Sequence, residues 1–329
     1  MVDIALRHHV SVSPSAVRMR RHHAKDRTFH RLTLGCSLLV LAMFVGILWS
    51  LTAGAWPALT AFGLPFLWTE AWNPVTEKFG ALAPIYGTLI TSFIAMLISV
   101  PIGIGIAIFL TELCPRPLQR PIGIAVELLA GIPSIIYGIW GLFVLAPFLQ
   151  QTIMPGLISV FSDIPVLSSL FAGPPFGIGV FTAGLILAIM TLPFISAITR
   201  DVFETVPPVL KEAAYGLGAT TWEVQWNVVL PYARTGVVGG VMLALGRALG
   251  ETMAVTFVIG NAHRIATSLL APGTTISASI ANEFTEAVGD LYAPALIELG
   301  LILFLVTVIV LAGAQFMLYR LEMRAGSRA

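Results

Sequence analysis

The sequence predicts an all-α integral membrane protein with six transmembrane helices. Of its 329 residues, 57% are hydrophobic and only 11% are charged, whereas a soluble domain carries roughly 25% charged residues. The mean hydropathy of +0.90 points the same way. Six apolar segments each exceed the length of about 20 residues that crosses a bilayer core as a helix. Helices are required because an open strand would leave backbone polar groups unpaired in hydrocarbon.

The six predicted spans lie at about 32–53, 85–110, 122–149, 176–199, 236–259 and 295–319. They divide the chain into a basic N-terminal tail (1–31), a first transmembrane helix (32–53), an outer loop (54–84), a core of five transmembrane helices (85–320) with a cytoplasmic loop at 200–235, and a C-terminal tail (321–329). The first span is too long for a signal peptide and follows an extended leader, so we expect an uncleaved anchor.

Lysine and arginine residues are distributed unevenly between the predicted loops. One side collects the basic leader, Arg116, Arg200 and Arg234, and the basic C-terminal tail, whereas the other side holds only Lys78 and Arg264. The positive-inside rule places the first side in the cytoplasm. We therefore expect a multi-pass protein of the cytoplasmic (inner) membrane with both termini in the cytoplasm. The net charge of +1 gives no reason to expect a nucleic-acid partner.

The predicted cytoplasmic loop 200–235 has the pattern of two short helices. Apolar residues recur at helical spacing over 206–217, beside a pair of prolines that suits a first helical turn. Thr220 and Glu223 have the spacing of a capping box, which begins a second helix. We expect Pro231 to end that helix. Two such helices would form a rigid projection that a partner can push.

A spacing within this loop resembles the coupling loop of ABC importer permeases, which reads Glu-Ala-Ala, three residues, Gly, nine residues, then Ile-x-Leu-Pro. The matching residues are Glu212, Ala213, Ala214, Gly218, Leu230 and Pro231, with Val228 in the place of the usual Ile. In that family the loop docks into a groove of the ATPase subunit with the Glu exposed. The resemblance therefore implies an ATPase partner, against the alternative of an interfacial helix without one.

The chain lacks the sequence signature of an ATPase. Its three lysines, Lys25, Lys78 and Lys211, stand outside any Gly-Lys-Ser/Thr context, and a P-loop needs that lysine and its glycine-rich cradle. We expect no catalytic residue, cofactor or metal site in this chain, with ATP and Mg²⁺ bound by a separate ATPase. The isolated cysteines Cys36 and Cys114 predict neither a disulfide nor a metal site.

Charged residues in the fifth predicted span form the candidate substrate site. Arg247 lies near the middle of 236–259 and Glu251 follows four residues later, so a continuous helix would place both on one face. Thr252 adds a hydroxyl next to them. One interpretation is a buried ion pair that only neutralises itself. Because such pairs stabilise poorly, the other is an anion site in which the Arg donors bind oxyanion oxygens.

Two further acidic residues are weaker candidates. Glu127 lies near the inner end of the predicted third span and Glu298 near the outer end of the sixth, and we expect both in the headgroup region. Prolines also interrupt the second, third and fourth predicted spans. Broken helices often line transport paths, but membrane helices tolerate proline widely, so the prolines carry little weight.

Three longer runs, residues 79–88, 131–138 and 246–255, resemble the PstC-type permeases of bacterial phosphate-specific (Pst) ABC importers, and the resemblance extends over 54–320. It implies the type I importer permease (MetI-like) bundle, with five core helices and the first span outside them. It also implies a sister permease of PstA type, two copies of an ATPase of PstB type and a periplasmic or lipid-anchored phosphate-binding protein of PstS type. The substrate would be phosphate and the surroundings membrane lipid. The family assigns phosphate movement to the residues at Arg247 and Glu251.

The implied function is import of inorganic phosphate by alternating access, driven by ATP through the cytoplasmic loop. Two alternatives stay open. One is an importer of another oxyanion such as sulfate or molybdate, because Arg247 alone does not separate these. The other is a passive anion channel, which would not need the Glu-Ala-Ala loop. An intramembrane enzyme is disfavoured because the spans hold no paired catalytic Asp and no His-Glu-x-x-His run.

Overall fold

The computed structural model describes the backbone of residues 14–326, and side chains over 28–316 and at Tyr319 and Arg320. The ends of the two predicted tails, 1–13 and 327–329, lie outside the described residues. The chain divides into two units, Met1–Ala53 and Gly54–Ala329.

Six helices are long and apolar enough to cross a membrane, which confirms the predicted fold class. The spans are Thr28–Phe62, Leu82–Leu113, Ser134–Phe161, Val180–Glu204, Thr221–Leu249 and Tyr292–Phe316. Shorter helices between them are Leu64–Leu67 (3₁₀), Arg116–Ala130, Pro165–Leu170, Pro208–Gly216, Met253–Thr256 and Ile276–Glu283. Over residues 14–326 the sole β-type pairing is an isolated bridge between Asn73 and Lys78.

The first and last spans are parts of longer helices. The first belongs to Pro14–Phe62, which takes in residues 14–31 of the predicted tail and the beginning of the predicted outer loop. The last belongs to Tyr292–Gly326, which runs past the predicted end of the core at 320. The first helix runs through Gly54 and Pro57, two residues that disfavour helix, so neither of them ends it at the predicted boundary.

The third span begins later than predicted. Residues 116–130 form a separate amphipathic helix, and Gly131 and Pro133 lie between it and the span. Gly131 caps the end of the first helix, and Pro133 caps the beginning of the span, where a missing N–H is tolerated. The span then continues through two π-helical turns to Phe161, past the predicted end at 149.

The fifth span is displaced in the opposite direction. It begins at Thr221, continues through a π-helical turn (Gln225–Val229) and ends at Leu249, whereas the pattern predicted 236–259. After Leu249 the backbone is not helical at 250–252, and a four-residue helix, Met253–Thr256, follows. The candidate substrate site therefore lies at a helix end and not at a helix centre.

The second and fourth spans pack closely through glycine. A Cβ at Gly184 would stand 2.7 Å from Ile94 Cγ2, and a Cβ at Gly103 would stand 2.9 Å from Ile195 Cγ2. Lipid gives helices no hydrophobic reason to associate, so close approach at small residues supplies the attraction. This helix pair lies at the centre of the bundle, with Ile186, Leu187 and other fully buried side chains around it.

At the end of the bundle opposite loop 200–235, four segments meet at the carboxylate of Glu283. Its Oε2 accepts hydrogen bonds of 2.6 Å from Trp72 Nε1 and the Tyr292 hydroxyl, and its Oε1 accepts one of 2.6 Å from His263 Nε2. Trp72 stacks on His263 with ring centroids 4.7 Å apart. Burial raises the pKa of Glu283, but the hydrogen bonds from His263, Tyr292 and Trp72 outweigh it, so the pKa is lowered. The carboxylate is thus held in its charged form.

Candidate functional site

The loop between the fourth and fifth spans, residues 205–220, is built from the signals in its sequence. Pro208 begins the helix Pro208–Gly216, where the missing amide of a proline is tolerated. Gly218 follows with φ +87°, a left-handed conformation that favours glycine. Thr220 and Glu223 form the predicted capping box: Thr220 N–H donates to Glu223 Oε2 at 2.8 Å, and Glu223 N–H donates to Thr220 Oγ1 at 3.4 Å.

The 205–220 loop and the first turns of the fifth span present large apolar side chains to the surface. Leu217 is 91% exposed, and the stacked pair Trp222 and Trp226 is 66% and 54% exposed. Of the residues that match the loop motif, Glu212, Ala213, Gly218 and Pro231 are exposed, whereas Ala214 and Leu230 are partly buried. Large apolar side chains gathered at an exposed projection are typical of a contact surface for another protein.

Pro231 does not end the second helix, which corrects the sequence prediction. It lies at the beginning of Leu230–Leu249, and the helix runs on from Thr221 through the π-helical turn. In that turn Leu230 N–H donates to the Gln225 carbonyl, one residue further back than in an α-helix. The altered register accommodates a residue that has no N–H, because the first turn of the new helix needs none.

The underside of the 205–220 loop is joined to three spans. A buried apolar cluster connects them through Ala107, Phe203, Val206, Val224, Val229, Ala233 and Val237. Next to it, Lys211 Nζ forms an ion pair of 2.6 Å with Glu112 Oε1. The two side chains are only 19% and 13% exposed. The loop is therefore held to the bundle by both apolar packing and charge.

Arg247 lies in the last turn of Leu230–Leu249, with its side chain exposed. Because that helix ends at Leu249, the prediction that Arg247 and Glu251 share one helical face is wrong. Among the described residues, no ion pair within 4.0 Å joins the two. A cation in the last turn is stabilised by the helix dipole, and the guanidinium N–H groups have no protein acceptor within the described chain. They are available to an anion.

Glu251 and Thr252 occupy the break between two helices. Glu251 Oε1 accepts a hydrogen bond of 3.4 Å from the Ala254 N–H, and the Glu251 carbonyl accepts one of 2.8 Å from the Ser277 hydroxyl. The Thr252 hydroxyl donates to the Gly250 carbonyl at 3.3 Å. These contacts hold the backbone of the break and leave the second carboxylate oxygen of Glu251 without a protein donor in the part of the chain that the structure describes.

Residues that the sequence analysis did not single out position this break. A Cβ at Gly138 would stand 3.0 Å from the Met253 carbonyl oxygen, so glycine is what lets the third span approach. Tyr137 precedes Gly138 on the same helix and is 7% exposed, and its hydroxyl donates to the Leu129 carbonyl at 2.8 Å. One feature of the sequence could have pointed to these residues: segments 131–138 and 246–255 both belong to the runs that carry the family resemblance.

The two weaker acidic candidates have different surroundings. Glu127 lies on the amphipathic helix Arg116–Ala130, outside the six spans, and its Oε1 accepts a hydrogen bond of 2.6 Å from Arg200. Glu298 lies inside the sixth span and is only 3% exposed, with Oε2 lacking a hydrogen-bond partner. Glu298 is therefore buried within the protein, and its depth in the membrane stays a prediction.

Comparison with known proteins gives a consistent result. Residues 99–322 match the family described as "Binding-protein-dependent transport system inner membrane component". The "Phosphate transport system permease protein PstC" of Mesorhizobium japonicum is 69% identical over 309 residues, 94% of each chain. A protein of Methanocaldococcus jannaschii named "Probable phosphate transport system permease protein PstC" is 41% identical over 288 residues, 86% of this chain and 90% of its own. The family match takes in the 205–220 loop and Arg247.

The fold is similar to that of a solved chain in the "Crystal structure of bacterial alginate ABC transporter in complex with alginate pentasaccharide-bound periplasmic protein". The TM-score is 0.60, with 19% identity, and the alignment covers 90% of this chain and 97% of that one. At that identity the likeness concerns the fold alone. The described helices thus form the type I (MetI-like) permease bundle.

Proposed function

The chain belongs to the family of binding-protein-dependent transport system inner membrane components, and within it to the PstC type, and we propose that it is the permease subunit of an ATP-driven importer of inorganic phosphate. The single observation that carries this proposal is the 69% identity, over 94% of both chains, to a protein named as a phosphate transport permease. The six candidate spans support a route through the membrane.

The proposed source of energy is a separate ATPase subunit, of PstB type and present in two copies, which binds ATP and Mg²⁺. Its docking surface on this chain is the predicted cytoplasmic loop, residues 200–235. The exposed Glu212 and the exposed apolar side chains of Leu217 and Trp222 support this assignment. Exposed apolar side chains that do not pack against the rest of the chain are typical of a surface that binds another protein. The apolar cluster beneath the loop keeps the projection rigid enough to transmit a push.

The same proposal places two further proteins around the chain. A sister permease of PstA type forms the second half of the translocation path, and membrane lipid and that sister subunit cover apolar side chains such as Phe143 and Leu243, which are 72% and 61% exposed. A phosphate-binding protein of PstS type delivers the anion at the outer end. Both termini lie in the cytoplasm of a chain that spans the inner membrane, in agreement with its Lys and Arg distribution.

Arg247 is proposed to bind phosphate during translocation. Its guanidinium offers donors in a planar fork that matches two oxyanion oxygens. Glu251 accepts a hydrogen bond from the proton-bearing oxygen of hydrogen phosphate, and Thr252 offers a hydroxyl beside it. Sulfate carries no such proton near neutral pH, so the carboxylate would repel it. The non-helical residues 250–252 provide a point at which the path can open to one side and then the other.

Uptake of radiolabelled phosphate by phosphate-starved cells tests the proposal. Cells carrying the wild-type chain, Arg247→Gln or Arg247→Lys are compared at equal membrane levels, with and without excess sulfate. We expect wild type to import phosphate despite the sulfate, and both variants to fail, because a point charge does not replace a bidentate donor. Arg320→Gln, a change in an exposed Arg near the C-terminus, serves as the matched control.

Each other outcome identifies a different error. Uptake that survives Arg247→Gln means that Arg247 is structural and that the phosphate site lies elsewhere. Competition by sulfate or molybdate as strong as by unlabelled phosphate means that the chain serves another oxyanion. Phosphate flux that continues after ATP depletion identifies a passive anion channel.

A further inference from the structure

The ion pair between Lys211 and Glu112 joins the 205–220 loop to a transmembrane span. Lys211 lies on the helix Pro208–Gly216, directly before Glu212. Glu112 lies in the π-helical turn Phe109–Leu113, which ends the second span. The two residues are 99 positions apart in the chain, and their charged groups are 2.6 Å apart. The bond therefore connects the projecting loop directly to a span of the bundle.

This pair differs from the other cytoplasmic-end ion pairs in its burial. Its side chains are 13% and 19% exposed, whereas Glu127 and Asp201, which pair with Arg200, are 46% and 67% exposed. Exposed pairs contribute little because water and salt screen them. Removing one partner of a shielded pair leaves the other charge without compensation, which is far more costly. The Glu112–Lys211 pair is therefore a firm connection.

The pair adds direction to an otherwise apolar contact. Beside it, Val206 and Ala214 of the loop pack against Ala107 and its neighbours on the second span. Apolar contacts are non-directional and permit sliding, whereas a hydrogen-bonded ion pair fixes one residue against one other. The second span in turn packs against the fourth through Gly103. A displacement of the loop thus reaches the centre of the bundle by a continuous set of contacts.

We propose that Lys211 and Glu112 are positioning residues that transmit the movement of the 205–220 loop to the second span, so that ATP hydrolysis and solute movement occur together. This inference rests on the proposed function, since it assumes a partner that moves the loop. Neither residue touches the substrate. Their role is to keep loop and span moving as one unit.

The test uses the whole complex, purified with its co-expressed partner subunits and reconstituted in proteoliposomes. The variants are Glu112→Gln, Lys211→Met and the charge-reversed double variant Glu112→Lys/Lys211→Glu. Glu204→Gln is the matched control, because Glu204 is 59% exposed and its contact with Arg200 Nε is 3.8 Å long. Two quantities are measured: inorganic phosphate imported per ATP hydrolysed, and hydrogen–deuterium exchange of the amides in 208–216.

We expect both single variants to lower the phosphate imported per ATP by at least about fivefold, the low end of typical coupling between sites. ATP hydrolysis itself continues, because the ATPase sites lie on other subunits. Exchange in 208–216 becomes faster in both single variants, since the loop loses its attachment. The double variant restores the ratio to within about twofold of wild type, as expected when only the mutual interaction matters. Glu204→Gln resembles wild type in both measurements.

Three results would overturn the proposal. The first is an unchanged ratio in the single variants. The second is a double variant as defective as the single ones, which indicates a requirement for each residue separately. The third is loss of the ATPase subunit during purification of the variants, which assigns the pair to assembly. A wild-type complex that imports no phosphate contradicts the proposed function instead, and the exchange measurement then still decides whether the pair holds the loop.

Discussion

Replacement of Tyr292 by Phe isolates one hydrogen bond in the group of side chains around Glu283. The Tyr292 hydroxyl donates to Glu283 Oε2 at 2.6 Å, and the residue is 8% exposed. The ring itself stacks on Phe79 with centroids 5.1 Å apart, and a Phe ring would keep that contact. The substitution therefore removes the hydroxyl and its bond while leaving the apolar packing in place.

The expected loss is about 2 kcal/mol in the free energy of unfolding, because a hydrogen bond to a charged group contributes about 1.5–3 kcal/mol. Glu283 keeps its other two donors, Trp72 and His263, so its charge does not become unpaired. For a chain of 329 residues, with an unfolding entropy of roughly 2.1 cal/mol/K per residue, a loss of that size lowers the melting temperature by about 3 °C.

Thermal unfolding of the purified complex, followed by scanning fluorimetry, measures this effect. Tyr319→Phe is the matched control: Tyr319 lies on the same helix and is 58% exposed. The control should melt with wild type. If Tyr292→Phe melts at the same temperature as wild type, the hydrogen bond to Glu283 contributes nothing measurable. The stabilisation inferred for the side chains around Glu283 would then be wrong.

Three further predictions follow from single positions. Because the pKa of Glu283 is lowered in the folded protein, its stabilisation is present above the usual carboxyl pKa and is lost as the pH falls through the lowered value. Glu283→Gln should therefore reduce the amount by which the melting temperature falls as the pH is lowered. A melting temperature that depends on pH as in wild type would assign this fall to other groups. Gly87→Ala would drive a Cβ into the Thr274 carbonyl oxygen and should reduce the yield of folded protein. Gly105→Ala has open space around it and should not; equal yields would contradict the packing. Gly218→Ala should destabilise the 205–220 loop by about 1–2 kcal/mol because φ is +87°, seen as faster amide exchange there. Gly216→Ala meets no neighbouring atoms and places a better helix former at the end of the helix Pro208–Gly216, so it should not speed exchange.

Local signals in the sequence predicted the parts of the fold that depend on local physics. Six apolar segments of sufficient length predicted six spans, because the bilayer imposes both length and helicity. Thr220 and Glu223 predicted the helix start that is observed, because a capping box satisfies its own backbone donors.

The sequence predictions were wrong where a helix begins or ends for reasons of tertiary structure. Pro133 begins a new helix and does not merely kink one, so the third span was placed too early. Pro231 follows a π-helical turn that periodicity does not show. The fifth span ends at Leu249, so Arg247 and Glu251 do not lie on one continuous helix and cannot share a helical face as expected.

Long-range contacts lay beyond any pattern in one sequence. Glu112 and Lys211 are 99 residues apart, and Trp72 and Glu283 are 211 apart. Their pairing depends on how the spans pack, and hydrophobic periodicity reports which face of a helix is apolar without naming its neighbour. The role of Arg247 as an anion site stays a prediction.

Phosphate accumulation in proteoliposomes tests the central claim most directly. The complex that contains this chain is reconstituted with its ATPase subunits and phosphate-loaded binding protein, and radiolabelled phosphate inside the vesicles is counted with and without ATP, in excess sulfate. The account predicts accumulation that requires ATP, withstands sulfate and is lost in Arg247→Gln. Accumulation without ATP, or ATP-driven uptake of sulfate in place of phosphate, would contradict it.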